Sequence, residues 1–356
     1  MKLFAPDGEL EILRRQRLAS VDGPVQIMLV TGRRRVGKTR LVLESLDETP
    51  ALYLNLAPTT ESMLCSVFAE AAKANLGLSL PEEGLDFAGL FELLVIYAKD
   101  HLYTLIIDEF QNLNQVNASC LARLQAILKE YKKEAKLNLI LVGTTRDNEM
   151  GLCIPSVSEE ATRIHLRPFS LSELKDLMAI HAPDCAEEDV LVLHALTGGV
   201  QYYVADMLDH GAVTKEAMID RMLATSSIYK VEGRDLLSRE FDRRAVNYIG
   251  ILRAMALGAT KFRDIVNMSW VQNLPAYLDR LKRAAFIERI PATELRDHHA
   301  RNTRWRFKDP FLRFWFRYIL PNEGMLDAGS TQRVKEQILC ELPELINLSC
   351  PSGQAG

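Results

Sequence analysis

The stretch Leu29-Val30-Thr31-Gly32-Arg33-Arg34-Arg35-Val36-Gly37-Lys38-Thr39-Arg40-Leu41 decides how the rest of the chain is read. From Gly32 to Thr39 it satisfies G-x-x-x-x-G-K-[ST], the spacing at which backbone N–H groups surround phosphate oxygens. The apolar run Val25–Val30 leads into it and the helical pattern Thr39–Leu46 leads out. That strand–loop–helix order is the one phosphate binding requires. Gly32, Arg33, Arg34, Arg35, Val36, Gly37, Lys38, Thr39 and Arg40 therefore form the candidate nucleotide cradle. Lys38 is placed to neutralise the β- and γ-phosphates and is counted as catalytic, and the Thr39 hydroxyl is placed to ligate Mg²⁺.

Such a loop needs acidic partners. The run Tyr103–Asp108 is a buried strand that ends in Asp108 and Glu109. Asp108 at the tip is assigned to the metal, through its water shell, and Glu109 to polarising the attacking water. Beyond the run Leu137–Gly143, Thr144 or Thr145 is placed to meet that water or the γ-phosphate, and Thr145 is taken as the third catalytic group. With Ala51–Leu56 and Arg163–Pro168 these runs make five strands that alternate with helical stretches. Such alternation predicts an α/β fold, a parallel sheet covered by helices on both faces, with ligands at the carboxyl ends of the strands.

After Pro168 the pattern turns helical. Further on, Ala245–Gly258, Thr260–Met268 and Asn273–Phe286 read as three helices, and Phe286–Pro291 and Arg304–Asp309 as two short strands. Three helices and a hairpin make a winged helix-turn-helix. Its third helix would present Asn273, Tyr277, Arg280 and Arg283, and its wing Arg296, His298, His299, Arg301, Arg304 and Arg306. From Lys230 to Ile319 there are 19 Lys and Arg against 10 Asp and Glu, although the whole chain carries −4. A basic segment on an acidic body points to an anionic partner such as DNA; contact with a protein or packing on the ATPase core are the other uses of such a domain. Phe311, Phe314, Trp315 and Tyr318 recur at helical spacing and are expected to face a core. No apolar run is long enough to cross a bilayer, no secretion signal is apparent, and the six cysteines form no CxxC pair. A cytoplasmic protein without a zinc site or a disulfide framework is expected.

These residues resemble the archaeal-type P-loop ATPase family, which lies near the STAND and AAA+ groups. The matching stretches, in the family's order, are TGRRRVGKTRL, LIIDEFQNL, LVGTT, RIHLRPFSLSEL, ALTGGVQYYV, YLDRLKRAAFIERI and RFKDPFLRFWFRYILPN. The resemblance implies a P-loop ATPase core over residues 1–168, a helical lid over 169–230 and a winged-helix domain with the aromatic motif over 231–322. A C-terminal helix and tail follow over 323–356. It also implies ATP and Mg²⁺ as ligands, and makes arginines inside the loop expected; these are predicted to face the lid or the winged-helix domain. The chain departs from the family at Asp7, where an adenine-side arginine is usual, and at Gln201, where proline is common. Ser158 and Glu159 replace a Gly-Arg pair before the fifth strand, leaving Arg146 or Arg163 to face the γ-phosphate. Many relatives carry a nuclease-like domain after the aromatic motif, for which residues 323–356 leave no room, so either a short form of the family or an effector on another chain is expected. The implied function is a nucleotide-controlled switch with slow ATP turnover that governs engagement of the winged helix with DNA or a protein. The alternative is a DNA-binding regulator in which nucleotide is structural.

Overall fold

The fold is described from a computed structural model, over residues 7–46, 49–81, 84–117, 119–144, 161–241, 245–290 and 303–349. It divides into two compact units, one up to Arg167 and one from Pro168 onward.

The first unit is built on five strands: β1 (Gln26–Gly32), β2 (Ala51–Asn55), β3 (Tyr103–Asp108), β4 (Leu137–Gly143) and β5 (Thr162–Leu166). They form one sheet in the order β2-β3-β4-β1-β5, and every neighbouring pair is parallel. Alternate residues face opposite layers, as the two-residue period of a strand dictates. Leu29, Leu105, Ile107, Leu139 and Leu141 pack on one side, beneath α3 (Glu61–Leu76), α4 (Phe87–Tyr97) and α6 (Cys120–Tyr131). Met28, Val30, Ile106, Ile140 and Val142 pack on the other, with α1 (Asp7–Asp22) and α2 (Lys38–Glu44). A short helix, α5 (Leu113–Val116), follows the tip of β3. Burial on both faces explains why the strands read as unbroken apolar runs.

The sheet order positions the site. β4 lies between β1, which carries the phosphate loop, and β3, which carries the acidic pair. The tip of β4, at Thr144, therefore stands between the two. Helix starts are fixed by side chains: the Asp86 carboxylate accepts from Gly89 N–H at 2.8 Å to open α4.

The second unit runs through α7 (Leu171–His181), α8 (Glu187–Thr197), α9 (Gln201–Asp209), α10 (Lys215–Leu223) and α11 (Tyr229–Phe241). α12 (Ala245–Ala256), α13 (Phe262–Ser269) and α14 (Leu274–Arg283) are followed by β6 (Ile287–Arg289) and β7 (Trp305–Phe307). β6 and β7 pair antiparallel, and Lys261 bridges to Arg304, so the α13 entry joins the hairpin as a third edge. Three helices and this hairpin make the winged helix-turn-helix that the sequence pattern predicts.

α15 (Pro310–Phe314), α16 (Glu323–Asp327) and α17 (Gln332–Ser349) complete the unit. Phe311, Phe314, Trp315 and Tyr318 are fully buried. Between α15 and α16 the backbone makes a π-turn over Trp315–Ile319, which the helical spacing does not reveal. The Trp315 indole N–H donates to Tyr229 O at 2.9 Å, and its ring lies against Gly233 of α11. One apolar core runs from Phe169 to Leu345 through lid helices, winged helix, aromatic motif and C-terminal helix alike. α11 passes through residues 230 and 231, where the sequence reading divides lid from winged helix.

Candidate functional site

The loop after β1 turns on three residues with positive φ: Gly32 at 150°, Arg35 at 71° and Gly37 at 84°. Glycine is required at the first. A Cβ at Gly32 would stand 2.5 Å from Leu166 O, inside backbone that cannot give way. Arg35 adopts the left-handed conformation without that freedom, at a cost on the order of 1–2 kcal/mol for an L-residue. Val36 is fully buried and pins the loop to the sheet.

Lys38 reaches back across the loop and donates to Gly32 O and Arg33 O, each at 2.9 Å. Burial pulls its ammonium down to about 8, against the opposing pull of the Glu109 and Asp108 carboxylates. The Thr39 hydroxyl donates to Asp108 Oδ2 at 2.6 Å, tying loop and acidic tip directly. Tyr53 of β2 donates to the same oxygen at 2.8 Å, and Glu109 N–H to Asp108 Oδ1 at 2.7 Å. Burial, reinforced by the bond to Asp108, pushes the Tyr53 phenol well above its ordinary value, so it stays a donor. Thr39 and Asp108 are hard oxygen donors in contact, a donor set that suits Mg²⁺ completed by phosphate and water oxygens. Among the described residues no cluster of three His, Cys, Asp or Glu could hold a metal by itself.

Glu109 also sits at positive φ, 53°, and its carboxylate is held on both sides. Arg34 donates to Oε1 at 2.9 Å, and the Gln111 amide donates to Oε2. Gln111 Oε1 in turn accepts from Thr144 N–H at 3.3 Å. Arg34 thus turns to the acidic tip within its own unit. The reason is topological. Sheet order brings β3 within an arginine's reach of the loop, and a half-buried guanidinium favours a carboxylate. Arg40, by contrast, is exposed and pairs with Glu44 one helical turn on, at 2.7 Å. Thr144 is buried, while Thr145 and Arg146 lie outside the described residues. Tyr53 and Gln111 are the neighbours that sequence reasoning missed. Gln111 carried a signal, two residues beyond Glu109 in the same motif, whereas Tyr53 carried none.

On the winged helix, Asn273, Arg280 and Arg283 are exposed, together with Lys282. Tyr277 is half-buried, accepts from Asn247 Nδ2 at 2.6 Å and packs edge-on against Tyr248. Asp279 lies 3.6 Å from Arg283, and Arg306 pairs with Glu288 across the hairpin at 2.6 Å. Trp270, between α13 and α14, is 88% exposed, and no sequence pattern pointed to it. Arg296, His298, His299 and Arg301 lie outside the described residues. No described helix is long and apolar enough to cross a membrane.

Residues 22–150 match the family model of the AAA domain. A Walker-type ATPase of Pyrococcus abyssi superposes with a TM-score of 0.60 at 20% identity, over 86% of this chain and 95% of that one. The ORC2 protein of Aeropyrum pernix, solved as ADPNP–ADP complexes, superposes with a TM-score of 0.62 at 16% identity, over 92% and 95%. An uncharacterized protein of Methanocaldococcus jannaschii is 27% identical over 312 residues, 85% of this chain. The match spans 66% of that relative's length. Fold, loop and domain match together define an AAA-type P-loop domain over residues 22–150. The chain's motifs resemble those of the archaeal-type P-loop ATPases.

Proposed function

We propose that the chain binds ATP with Mg²⁺, hydrolyses it slowly, and uses the nucleotide state to control how its winged-helix unit engages a cytoplasmic partner. The observation that carries this reading is the convergence of Lys38, Thr39, Asp108 and Glu109 at the tips of β1 and β3, on either side of β4. Lys38 exchanges its two loop carbonyls for phosphate oxygens. Thr39 and Asp108 would hold Mg²⁺, whose charge, when bound, offsets that developing on the phosphates. Glu109 orients and deprotonates the attacking water. The adenine nucleotides bound by the ORC2 relative favour ATP over other triphosphates.

For the partner, the exposed Arg280, Lys282 and Arg283 on α14 favour DNA, whose phosphates they would neutralise. A second reading, nucleotide as a structural element with negligible turnover, is favoured by one observation: both oxygens of Glu109 are engaged. Titration with labelled ATP and a turnover assay separate the two readings. Lys38→Ala should abolish binding, and full-affinity binding by that variant removes the site assignment. Glu109→Gln should bind ATP and lose hydrolysis; unchanged turnover removes Glu109 from the chemistry.

A further inference from the structure

A phosphate-binding loop makes no demand on its variable side chains, since backbone amides do the cradling. Arg34 nonetheless faces inward, with only 23% of its side chain exposed, and contacts the carboxylate assigned to water activation. Arg34 and Gln111 each take up one oxygen of Glu109, and giving up the Arg34 contact frees Oε1 to orient water. The other contact, from Gln111, leads to the tip of β4 through Thr144 N–H. Arg34 is also incompletely satisfied: its Nε is buried and has no hydrogen-bond partner among the described residues. A guanidinium offers five donors in a planar fork that matches phosphate at least as well as carboxylate. A buried donor without a partner is a standing cost that an incoming anion removes.

We propose that Arg34 senses the γ-phosphate by exchange: without it Arg34 holds Glu109, and a terminal phosphate draws the guanidinium away and frees the carboxylate. The inference rests on the reading of the loop as an ATP site. It makes Arg34 a brake on Glu109 in the ADP and nucleotide-free states. Arg34 and Glu109 then form one coupled element, because the phosphate and the carboxylate compete for the same fork.

The test measures binding, with the full chain, Mg²⁺, ADP and a non-hydrolysable ATP analogue. Arg34→Ala should weaken the analogue roughly ten- to hundredfold, the worth of a charge-assisted hydrogen bond, and leave ADP nearly unchanged. Arg34→Lys, which keeps the charge and the fold but lacks the fork, should recover only part of that loss. Glu109→Gln should tighten the analogue relative to ADP, because the competing carboxylate is gone, and this gain should vanish in Arg34→Ala/Glu109→Gln. Equal losses for both nucleotides in Arg34→Ala, or strictly additive effects in the double variant, would overturn the exchange. Lys38→Ala identifies the source of a failure. If it binds both nucleotides normally, the ATP-site reading itself is wrong. If it binds neither while Arg34→Ala fails to discriminate, only the exchange falls.

Discussion

Lys38 concentrates the electrostatics of the site in one titration. Burial lowers its ammonium to about 8, although two carboxylates pull the other way. Phosphates favour the charged form, so ATP binding restores a proton wherever the free protein has lost it. Affinity should therefore hold below about pH 8 and fall above it, by up to about tenfold per pH unit. Isothermal titrations from about pH 7 to about pH 9.5 would test this, and a flat profile would exclude Lys38 as the group that meets the phosphates. The sign for stability is the reverse of that for a lysine with a raised pKa. The folded value lies below the unfolded one, so the nucleotide-free protein gains stability as pH climbs from about 8 toward about 10.4.

The elements that carry function differ in how rigidly they present it. The phosphate loop is held by Val36 below and by Gly32 against Leu166, so its backbone has little freedom. α14 buries Leu274, Leu278 and Leu281 and turns Arg280, Lys282 and Arg283 to solvent. Those cations sit toward its C-terminal end, where basic groups also complement the helix dipole. If α14 lies along DNA, each lost phosphate contact removes about one counterion from the salt dependence. Arg280→Ala with Arg283→Ala should weaken DNA binding and lower the slope of log affinity against log salt by roughly 2. Anisotropy titrations at several salt concentrations read this directly. An unchanged slope would assign α14 to a protein partner or to none.

At the scale of the molecule, the second unit behaves as one packed body. Trp315 ties the aromatic motif to α11, and Tyr203 of α9 packs on Phe311 at 4.4 Å, inside a core that continues into α14 and α17. A methyl group at Gly233 would stand 2.2 Å from the Trp315 ring. Gly233→Ala should thus destabilise this unit by about 1–3 kcal/mol, the usual cost of overpacking. Hydrogen exchange would show its reach. Loss of protection in α8 and α14 together is expected from a shared core, whereas softening confined to α11 would mean that lid and winged helix are energetically separate.

The sequence by itself determined the local chemistry. The spacing from Gly32 to Thr39, the apolar runs and the acidic end of β3 are encoded within a few residues of one another. Strand periods and turn residues are enough to read them. The aromatic stripe after Asp309 was legible for the same reason, although the π-turn within it was not. Only the tertiary structure decided where the loop arginine points. Arg34 and Glu109 are 75 residues apart and meet because the parallel sheet sets β3 beyond β4 from β1. The left-handed backbone at Arg35 and Glu109 is equally invisible to pattern, since neither residue type favours it. Tyr53 and Gln111 joined the site through that same sheet order. Side-chain direction follows from which strands become neighbours, and that choice is made by the packing of the whole sheet rather than by any one motif.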